Sequence, residues 1–475
     1  MSNTTSVCEY DSIVVGSGPN GLAAAITLAR CGHRVVVYES AREVGGGCRT
    51  AELTLPGFRH DVCSSVYPLI SVSPFFRQLS DDGIPLDLVK PDTALAHVVD
   101  RNHAVAVYQD LQKTAAGLHA GGDAYAKLIG PFLESPARLF EKILAPPLKL
   151  RNPLPLLRFA WRGIDSAESL ATRWFDDAAT QGMFAGMAAH SMLPLDRCLT
   201  GAVGLMFCIA AHVNGWPFAR GGAESISKVL AEYLVSLGGQ IETSTQVTRL
   251  NQLPTSRAVL FDTPPAQMLK IAGAELPESY HRAVKAFRHG PGVCKVDWAL
   301  DGPIPWTAQE CRRAGTVHVG GTLQGIMQGE QAAWNRQMPQ DPFVLVTQPS
   351  LVDSSRAPVG KHVAWAYCHV PYDHATDVSD KIERKIENAA PGFRDIILGR
   401  NVMTTRDLES YNANYIGGDI GGGAMNLWQC IARPVLRIDP YSTPNPRLFL
   451  CSASTPPGPG VHGMCGYYAA QSVLK

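Results

Sequence analysis

The sequence has no charge of either sign to spare. Lys+Arg and Asp+Glu both number 42, so the formal net charge is zero. A nucleic-acid partner normally requires a strong basic excess, and none is predicted. No run of 18 or more apolar residues occurs, which argues against a membrane-spanning helix. The polar start, MSNTTSVCEYD, lacks a basic segment leading into an apolar one, so no secretory signal is expected. Twelve cysteines are scattered without one C-x-x-C pair, so neither a dithiol centre nor a zinc knuckle is signalled. Reduced thiols in a cytoplasmic protein are the expectation. The histidines, including His362 and His369, lack metal-ligand spacing on a helix, and no metal site is predicted. Nothing repeats internally. With 475 residues, 45% hydrophobic and 18% charged, the chain suffices for two lobes around buried cores.

Against these absences, the N-terminus carries a dense signal. Residues 12–15, Ser-Ile-Val-Val, read as a short apolar strand, followed at once by Gly16-Ser17-Gly18-Pro19-Asn20-Gly21. Leu22, Ala25, Ile26 and Ala29 then fall on one helical stripe, and Gly32 sits where a C-cap would end it. Val35-Val36-Val37-Tyr38 makes a second strand, closed by Glu39. Each part has a mechanical role in a dinucleotide site. Gly16 permits the tight turn, Gly18 lets backbone approach a pyrophosphate, and Gly21 allows close helix–strand packing. The helix N-terminus offers free N–H groups and positive dipole to phosphates. Glu39 can accept from ribose hydroxyls. A bare G-x-G-x-x-G arises by chance roughly 0.4 times in a chain this rich in glycine, so alone it is weak. The flanking strand, helix, second strand and acid remove the alternative of a ligand-free glycine turn. Arg42 lies past the acid, so an NADP-type 2′-phosphate site is discounted.

Beyond Glu39 and Ser40 come Gly45-Gly46-Gly47-Cys48-Arg49-Thr50 and then Pro56-Gly57-Phe58-Arg59-His60-Asp61. This pattern resembles the phytoene desaturase-like flavoproteins, in a superfamily that also includes amine oxidases. It is most similar to the phytoene dehydrogenase-related members, near the retinol saturase and carotenoid isomerase branches. The resemblance implies a non-covalent FAD, with Gly45, Gly46, Gly47, Arg49 and Thr50 extending its site from ribose to pyrophosphate. A second glycine turn with an Arg beyond it would supply backbone donors and a forked cation.

Two further blocks match the family. Arg220-Gly221-Gly222-Ala223-Glu224 opens a helix with an apolar stripe from Ile226 to Leu237, and Ile241–Val247 reads as a half-buried strand. The resemblance places Val247 beside the adenine. Near the C-terminus, the strand 448–451 enters Ser452-Ala453 and a Gly/Pro loop through Val461-His462-Gly463, with a helix from Met464. In the family this loop lies against the isoalloxazine, and a helix N-terminus there would stabilise anionic reduced flavin. The β-hairpin that relatives usually insert after the adenine-contacting valine is missing or reduced. Gly417-Gly418-Asp419-Ile420-Gly421-Gly422-Gly423 has no strand before it. It is either a surface turn or, by family analogy, a loop at the flavin and substrate mouth. No second strand–GxGxxG–helix unit occurs, so a dedicated NAD(P)H domain is unsupported.

The predicted fold is α/β, with an FAD-binding Rossmann-type (GR2-like) lobe and a discontinuous, mixed α+β substrate lobe. The FAD lobe is assigned residues 1–75, 205–265 and 430–475. The substrate lobe takes 76–204, read as a helical cap, and 266–429. Residues 131–162 mix Phe132, Phe140, Leu148, Leu150, Phe159 and Trp161 with Lys142, Lys149, Arg151, Arg158 and Arg162. They read as a cap packed on the substrate lobe, with peripheral membrane contact as the alternative. His60, Asp61 and His462 flank the expected flavin, near Tyr67 and Tyr467, and are the candidates for direct chemistry. A histidine beside a glycine loop is, however, more often a structural hydrogen-bonder.

The resemblance implies hydride transfer at flavin N5 on carbon–carbon bonds of an apolar, isoprenoid- or polyene-like substrate. The first rival is an amine oxidase-type enzyme, which would need an aromatic cage and a lysine near N5. The second is a flavoprotein with a binding or assembly role and no turnover.

Overall fold

The computed structural model describes residues 8–147 and 154–475, with side chains from 156 onward in the second stretch. Leu148, Lys149, Leu150 and Arg151 therefore lie outside the described residues.

The predicted βαβ unit forms the centre of a five-stranded parallel sheet. Its spatial order is Leu448–Leu450, Ser256–Phe261, Tyr10–Val15, Val35–Tyr38 and Gln240–Glu242. These strands are short and almost wholly apolar because helices cover both faces. Val14, Val35, Val37 and Leu260 pack on the helices Pro19–Arg30, Glu224–Ser236 and Met464–Val473. Ile13, Val36, Val259 and Phe261 pack on Pro265–Ala272 and Glu278–Lys285 through Met268, Ile271, Tyr280 and Val284.

Three expected boundaries shift. The dinucleotide lobe continues to about residue 285, because both helices after the strand 256–261 are needed to close the sheet's second face. The helix Thr200–Asn214, partly assigned to this lobe, instead packs against Ala178–Ala189 and Leu154–Gly163 in the helical cap. The strand expected over 241–247 stops at Glu242. As a strand it pairs only with Val35–Tyr38; Ser244, at φ 54°, ends the extension while its amide bonds the Ala41 carbonyl at 2.8 Å. No hairpin follows Val247; a single 3₁₀ turn leads to the next strand.

The second lobe rests on a seven-stranded mixed sheet. Its order is Ile397–Met403, Gly292–Leu300, His362–Val370, Val344–Thr347, Ala314–Val319, Thr93–Val98 and Ala104–Val107. One face is apolar, with Val296, Trp298, Val317, Val346 and Ala366 packed on Ile382 and Ile386 of the helix Ser379–Ala389. The opposite face is polar in one cross-strand row. Paired residues run His97, His318, Leu345, Tyr367, Lys295 and Met403.

Part of 131–162 packs into the helical cap. Phe132, Leu139, Phe140, Leu144 and Phe159 are buried, and the Arg162 guanidinium lies over Phe132 and Trp174. Trp161 is 81% exposed, beside exposed Leu157 and Ile164. Among the described residues no helix is long and apolar enough to cross a membrane, and no cluster of ligating side chains could hold a metal ion.

Candidate functional site

Val15, Tyr38 and Phe261 end side by side at the C-terminal edge of the parallel sheet. Ligands of open α/β sheets bind outside that edge. A cavity of about 710 Å³ opens there and reaches across to the polar face of the second sheet. Its walls draw on the N-terminal glycine turn, the 452–462 loop, the cap helices and the strand Gly292–Leu300.

The glycine positions make a backbone cradle. Gly16 has φ 103°, and a Cβ there would come within 2.9 Å of the Asp262 carbonyl oxygen. Gly46, at φ 55°, lies so close to the first turn that a Cβ would sit 3.0 Å from Cα of Gly18. The two predicted glycine turns therefore abut, backbone against backbone at Gly18 and Gly46, with the Ser17 hydroxyl accepting from the Gly45 amide beside them. Asn20 lines the same wall, and its buried Oδ1 has no partner.

Glu39 is held from several sides. The Ser17 amide and hydroxyl donate to one carboxylate oxygen at 2.9 and 2.6 Å, and the Ala41 amide donates to the other at 2.8 Å. Arg49 pairs with it at 3.3 Å. Burial works to raise the Glu39 pKa, but these hydrogen bonds and the Arg49 charge outweigh it, and the carboxyl stays below its ordinary value. The guanidinium expected to reach phosphates thus rests on Glu39, over the Tyr411 ring at 5.7 Å. Replacing Glu39 by Ala should weaken FAD retention about 10–150-fold, the equivalent of a charged hydrogen bond worth roughly 1.5–3 kcal/mol. Glu39→Gln should lose less. Equilibrium dialysis of FAD checks this, and equal dissociation constants would remove Glu39 from the site.

One expectation is corrected. The first amides of the helix Pro19–Arg30 are not free: the Gly21 amide donates to Asp262 Oδ2 at 2.9 Å, and the Gly18 amide bonds the same carboxyl. Asp262 is buried without a cation beside it. Burial, aided by the Glu39 charge, drives its pKa well above the ordinary value. Folding therefore favours the protonated acid, and stability is lost as pH rises through the folded pKa. Asp262→Asn keeps the acceptor and removes the titration. It should gain at least about 1 kcal/mol at alkaline pH, one pKa unit's worth. Urea melts at pH 6 and 9 check the sign; a variant that stays as pH-sensitive as the parent exonerates Asp262.

The remaining predicted residues divide by position. Gly16, Gly18, Pro19, Asn20, Glu39, Ser40, Gly46, Gly47, Arg49, Val247, Ser452, Ala453, Val461 and His462 line the cavity. Gly21, Gly45, Thr50, Gly463 and Met464 stand behind the wall as support. Gly45 donates to the Ser17 carbonyl at 3.0 Å, and Thr50 to Asp61 at 2.9 Å.

The three candidates for direct chemistry are placed differently from the expectation. Asp61 does not line the cavity; it forms a wholly buried ion pair with Arg356 and also accepts from Ser65, Thr50 and the Ala223 amide. His60 is also off the wall, with Nε2 bonded to Thr54 at 2.8 Å and Nδ1 3.7 Å from Asp297. Burial and the Lys295 charge push its pKa down to about 3, so it is neutral. His462 lines the cavity, yet both its nitrogens engage the loop: Nδ1 accepts from the Met464 amide at 3.1 Å, and Nε2 faces the Gly458 carbonyl at 3.2 Å. It fastens the turn into the C-terminal helix.

Sequence reasoning missed three wall residues. Lys295 is buried, bonded to Asp297, with its ammonium 5.1 Å from the Trp365 ring centroid. The signal was present: Lys and Asp two apart in an otherwise apolar strand point to the same face. Arg433 is buried and donates to carbonyls of Gly421, Gly422, Gly423, Ala424 and Ala453. It ties the 417–423 loop to the 452–454 loop. That glycine loop therefore belongs to the cavity wall and is no surface turn, with Asp419 accepting the Gly290, Gly421 and Gly423 amides. No sequence motif announces Arg433 or the third residue, His190.

A two-lobed fold with a glycine-lined cradle at the end of a parallel sheet defines a dinucleotide-dependent oxidoreductase. The family model for an NAD(P)-binding Rossmann-like domain matches residues 14–81. The chain is 25% identical to the rat pyridine nucleotide-disulfide oxidoreductase domain-containing protein 2, over 98% of this chain and 94% of that protein. It is 25% identical to a Streptomyces griseus phytoene dehydrogenase, over 81% and 77%. A carrot prolycopene isomerase is 22% identical over 86% and 71%. Among solved structures, an oxidoreductase from Methanosarcina mazei superimposes with TM-score 0.65 at 15% identity, covering 98% of this chain and 99% of that one. A putrescine oxidase follows at TM-score 0.61 and 16% identity, covering 98% of both. The chain is an oxidoreductase similar to phytoene dehydrogenase and prolycopene isomerase, and its cofactor is FAD. Glu39, the two abutting glycine turns, Asn20 and Val247 are the residues that would hold it.

Proposed function

We propose that this enzyme desaturates, saturates or isomerises a carbon–carbon bond in a largely apolar, isoprenoid- or polyene-like molecule. The observation that carries the reading is the continuity of the cavity. One space joins the dinucleotide cradle to a wall of Leu144, Phe159, Val203, Met206 and Phe207 from the cap helices. Bound FAD supplies a hydride acceptor or donor at its N5. The chain's own contribution is burial and orientation. Apolar walls bind by area, gaining about 25 cal/mol per Å² removed from water, and hold one C–C unit where water is excluded. Anaerobic incubation of the holoenzyme with polyenes, fatty acyl compounds and amines, followed by flavin absorbance, tests this. Bleaching by polyenes supports it; bleaching by small amines alone replaces it.

Amine oxidation has one observation in its favour. Buried Lys295 lines the cavity below Trp365, which stacks on Tyr367 at 5.8 Å. An amine oxidase-type reading needs such a lysine and such rings.

NADPH is expected to reduce the flavin slowly if at all, since no second strand–GxGxxG–helix unit occurs in the sequence to dock it. Stopped-flow bleaching by NADPH as fast as turnover overturns this expectation.

We place the enzyme in the cytoplasm, in line with its twelve unpaired cysteines, with peripheral membrane contact through the cap as the alternative to a purely packed cap. Exposed Trp161 and Leu157 support the contact.

A further inference from the structure

The cavity's deep wall carries buried polar groups that a pure hydrocarbon would leave unused. His190 caps the helix Ala178–Ala189 and lines the cavity. Its Nε2 lies 3.2 Å from Nε2 of His318, a member of the polar row on the second sheet. The Phe207 ring lies 4.6 Å from the imidazole, and Trp216 meets it edge-on at 5.6 Å. Trp216 donates its indole N–H to the Phe207 carbonyl, so the niche is fixed on two sides.

The ring arrangement constrains what His190 can do. His97, next to His318 in the row, bonds the Gly321 carbonyl through Nε2 at 2.8 Å, and its Nδ1 is buried without a partner. His318 Nδ1 is likewise buried and unpartnered, against Gly186. Glycine there is a packing requirement: a Cβ would fall 2.7 Å from His318 Nδ1. His190 alone in this group is part-exposed on the cavity wall, and neither of its nitrogens is buried and unpartnered. Burial pushes its pKa down to about 3 and that of His318 well below the ordinary value, so both rings are neutral at working pH. Two neutral imidazoles sharing one hydrogen bond leave His190 Nδ1 with a single fixed role, donor or acceptor. A hydroxyl pairs with either.

We propose that the substrate carries an oxygen-bearing group, of hydroxyl type, on its apolar body, and that His190, held in register by His318, binds it beside the packed Phe207 and Trp216 rings. This rests on the carbon–carbon reading above and adds to it a polar handle that sets which bond lies over the cradle. A neutral hydrogen bond in such a niche changes affinity by about 3–10-fold.

The test uses the holoenzyme and two probes in mixed micelles: geranylgeraniol, and the hydrocarbon with methyl in place of its CH₂OH. Affinity is read by quenching of tryptophan fluorescence, and redox chemistry separately by anaerobic flavin bleaching. Wild type is expected to bind the alcohol about 3–10-fold more tightly than the hydrocarbon. His190→Phe, which keeps an aromatic ring beside Phe207, should abolish that preference, and His190→Gln, which keeps a hydrogen-bonding group, should retain part of it. Equal binding of the two probes by wild type, or a preference that survives in His190→Phe, overturns the assignment. A preference for the alcohol without flavin bleaching supports the His190 assignment while removing the carbon–carbon reading. No binding of either probe removes both.

Discussion

Arg433→Met is expected to destabilise the holoenzyme by about 3–5 kcal/mol, because its buried guanidinium is the shared donor to five carbonyls of two loops and three of them have no other side-chain donor among the described residues. Arg433 is 1% exposed. Its Nη2 donates to Gly421, Gly422, Gly423 and Ala453 at 3.0–3.2 Å, and its Nη1 to Ala424 at 3.2 Å. A methionine fills the volume of the stem but takes the donor from the Gly421, Gly423 and Ala453 oxygens, each at the cost of an unmade buried hydrogen bond, while those of Gly422 and Ala424 keep Ser454 Oγ and Gln429 Nε2. Burial lowers the Arg433 pKa, yet guanidinium remains charged at any working pH. Because the two joined loops both line the cavity, FAD should also dissociate at least about tenfold faster. Arg433→Lys keeps charge without the fork and should fall between. Urea melts and FAD release rates check the prediction. A variant melting within about 2 °C of wild type would show that the loops need no such clamp.

Asp61→Ala should cost a similar amount, about 3–5 kcal/mol, while leaving the chemistry of folded enzyme nearly intact. The sequence offers Asp61 as a candidate acid or base beside the flavin, but the structure gives it to Arg356. Removing the carboxylate strands a buried guanidinium whose other anionic contact is Asp353, 3.5 Å from Nε. It also frees the Ala223 amide. Burial alone would raise the Asp61 pKa, but the Arg356 charge and hydrogen bonds hold it below the ordinary carboxylate value. The sign follows: the contribution is fully present above the unfolded carboxylate pKa of about 3.9 and is lost as pH falls through the depressed folded value. Wild type and variant should therefore converge in stability only in strong acid. Melting curves from pH 7 to 3 and turnover of the folded fraction separate the two roles. A fully stable variant with turnover reduced a hundredfold would return Asp61 to the chemistry.

How much was legible depended on whether the signal was local. The first glycine turn, its helix and Glu39 sit within one βαβ unit, where periodicity and capping act over neighbouring residues. They lie together at the end of the parallel sheet and along one cavity. The strand expected over 241–247 failed because alternation alone does not make a strand. After Glu242 the left-handed Ser244, φ 54°, breaks the extension, although the Ser244 and Thr245 amides still bond the Ala41 and Glu39 carbonyls. The helix Thr200–Asn214 was divided wrongly because it is apolar on nearly every side, and such a helix carries no stripe to say which core it joins.

By itself the sequence determined the class of fold, the dinucleotide cradle and the absence of any metal-ligating pattern, since each is written in residues close together along the chain. Only the tertiary structure decided which polar residues do what. Asp262 comes from residue 262 to occupy the first amides of a helix that begins at residue 19. Arg356 crosses 295 residues to claim Asp61. Lys295, His190 and His318 come from two strands and a helix end to one cavity wall or its backing. The physical reason is common to all of them. A buried charge or imidazole takes its role from whatever lies within about 3–4 Å of it, and sheet register and helix packing set that neighbourhood across hundreds of residues, where no local pattern reaches.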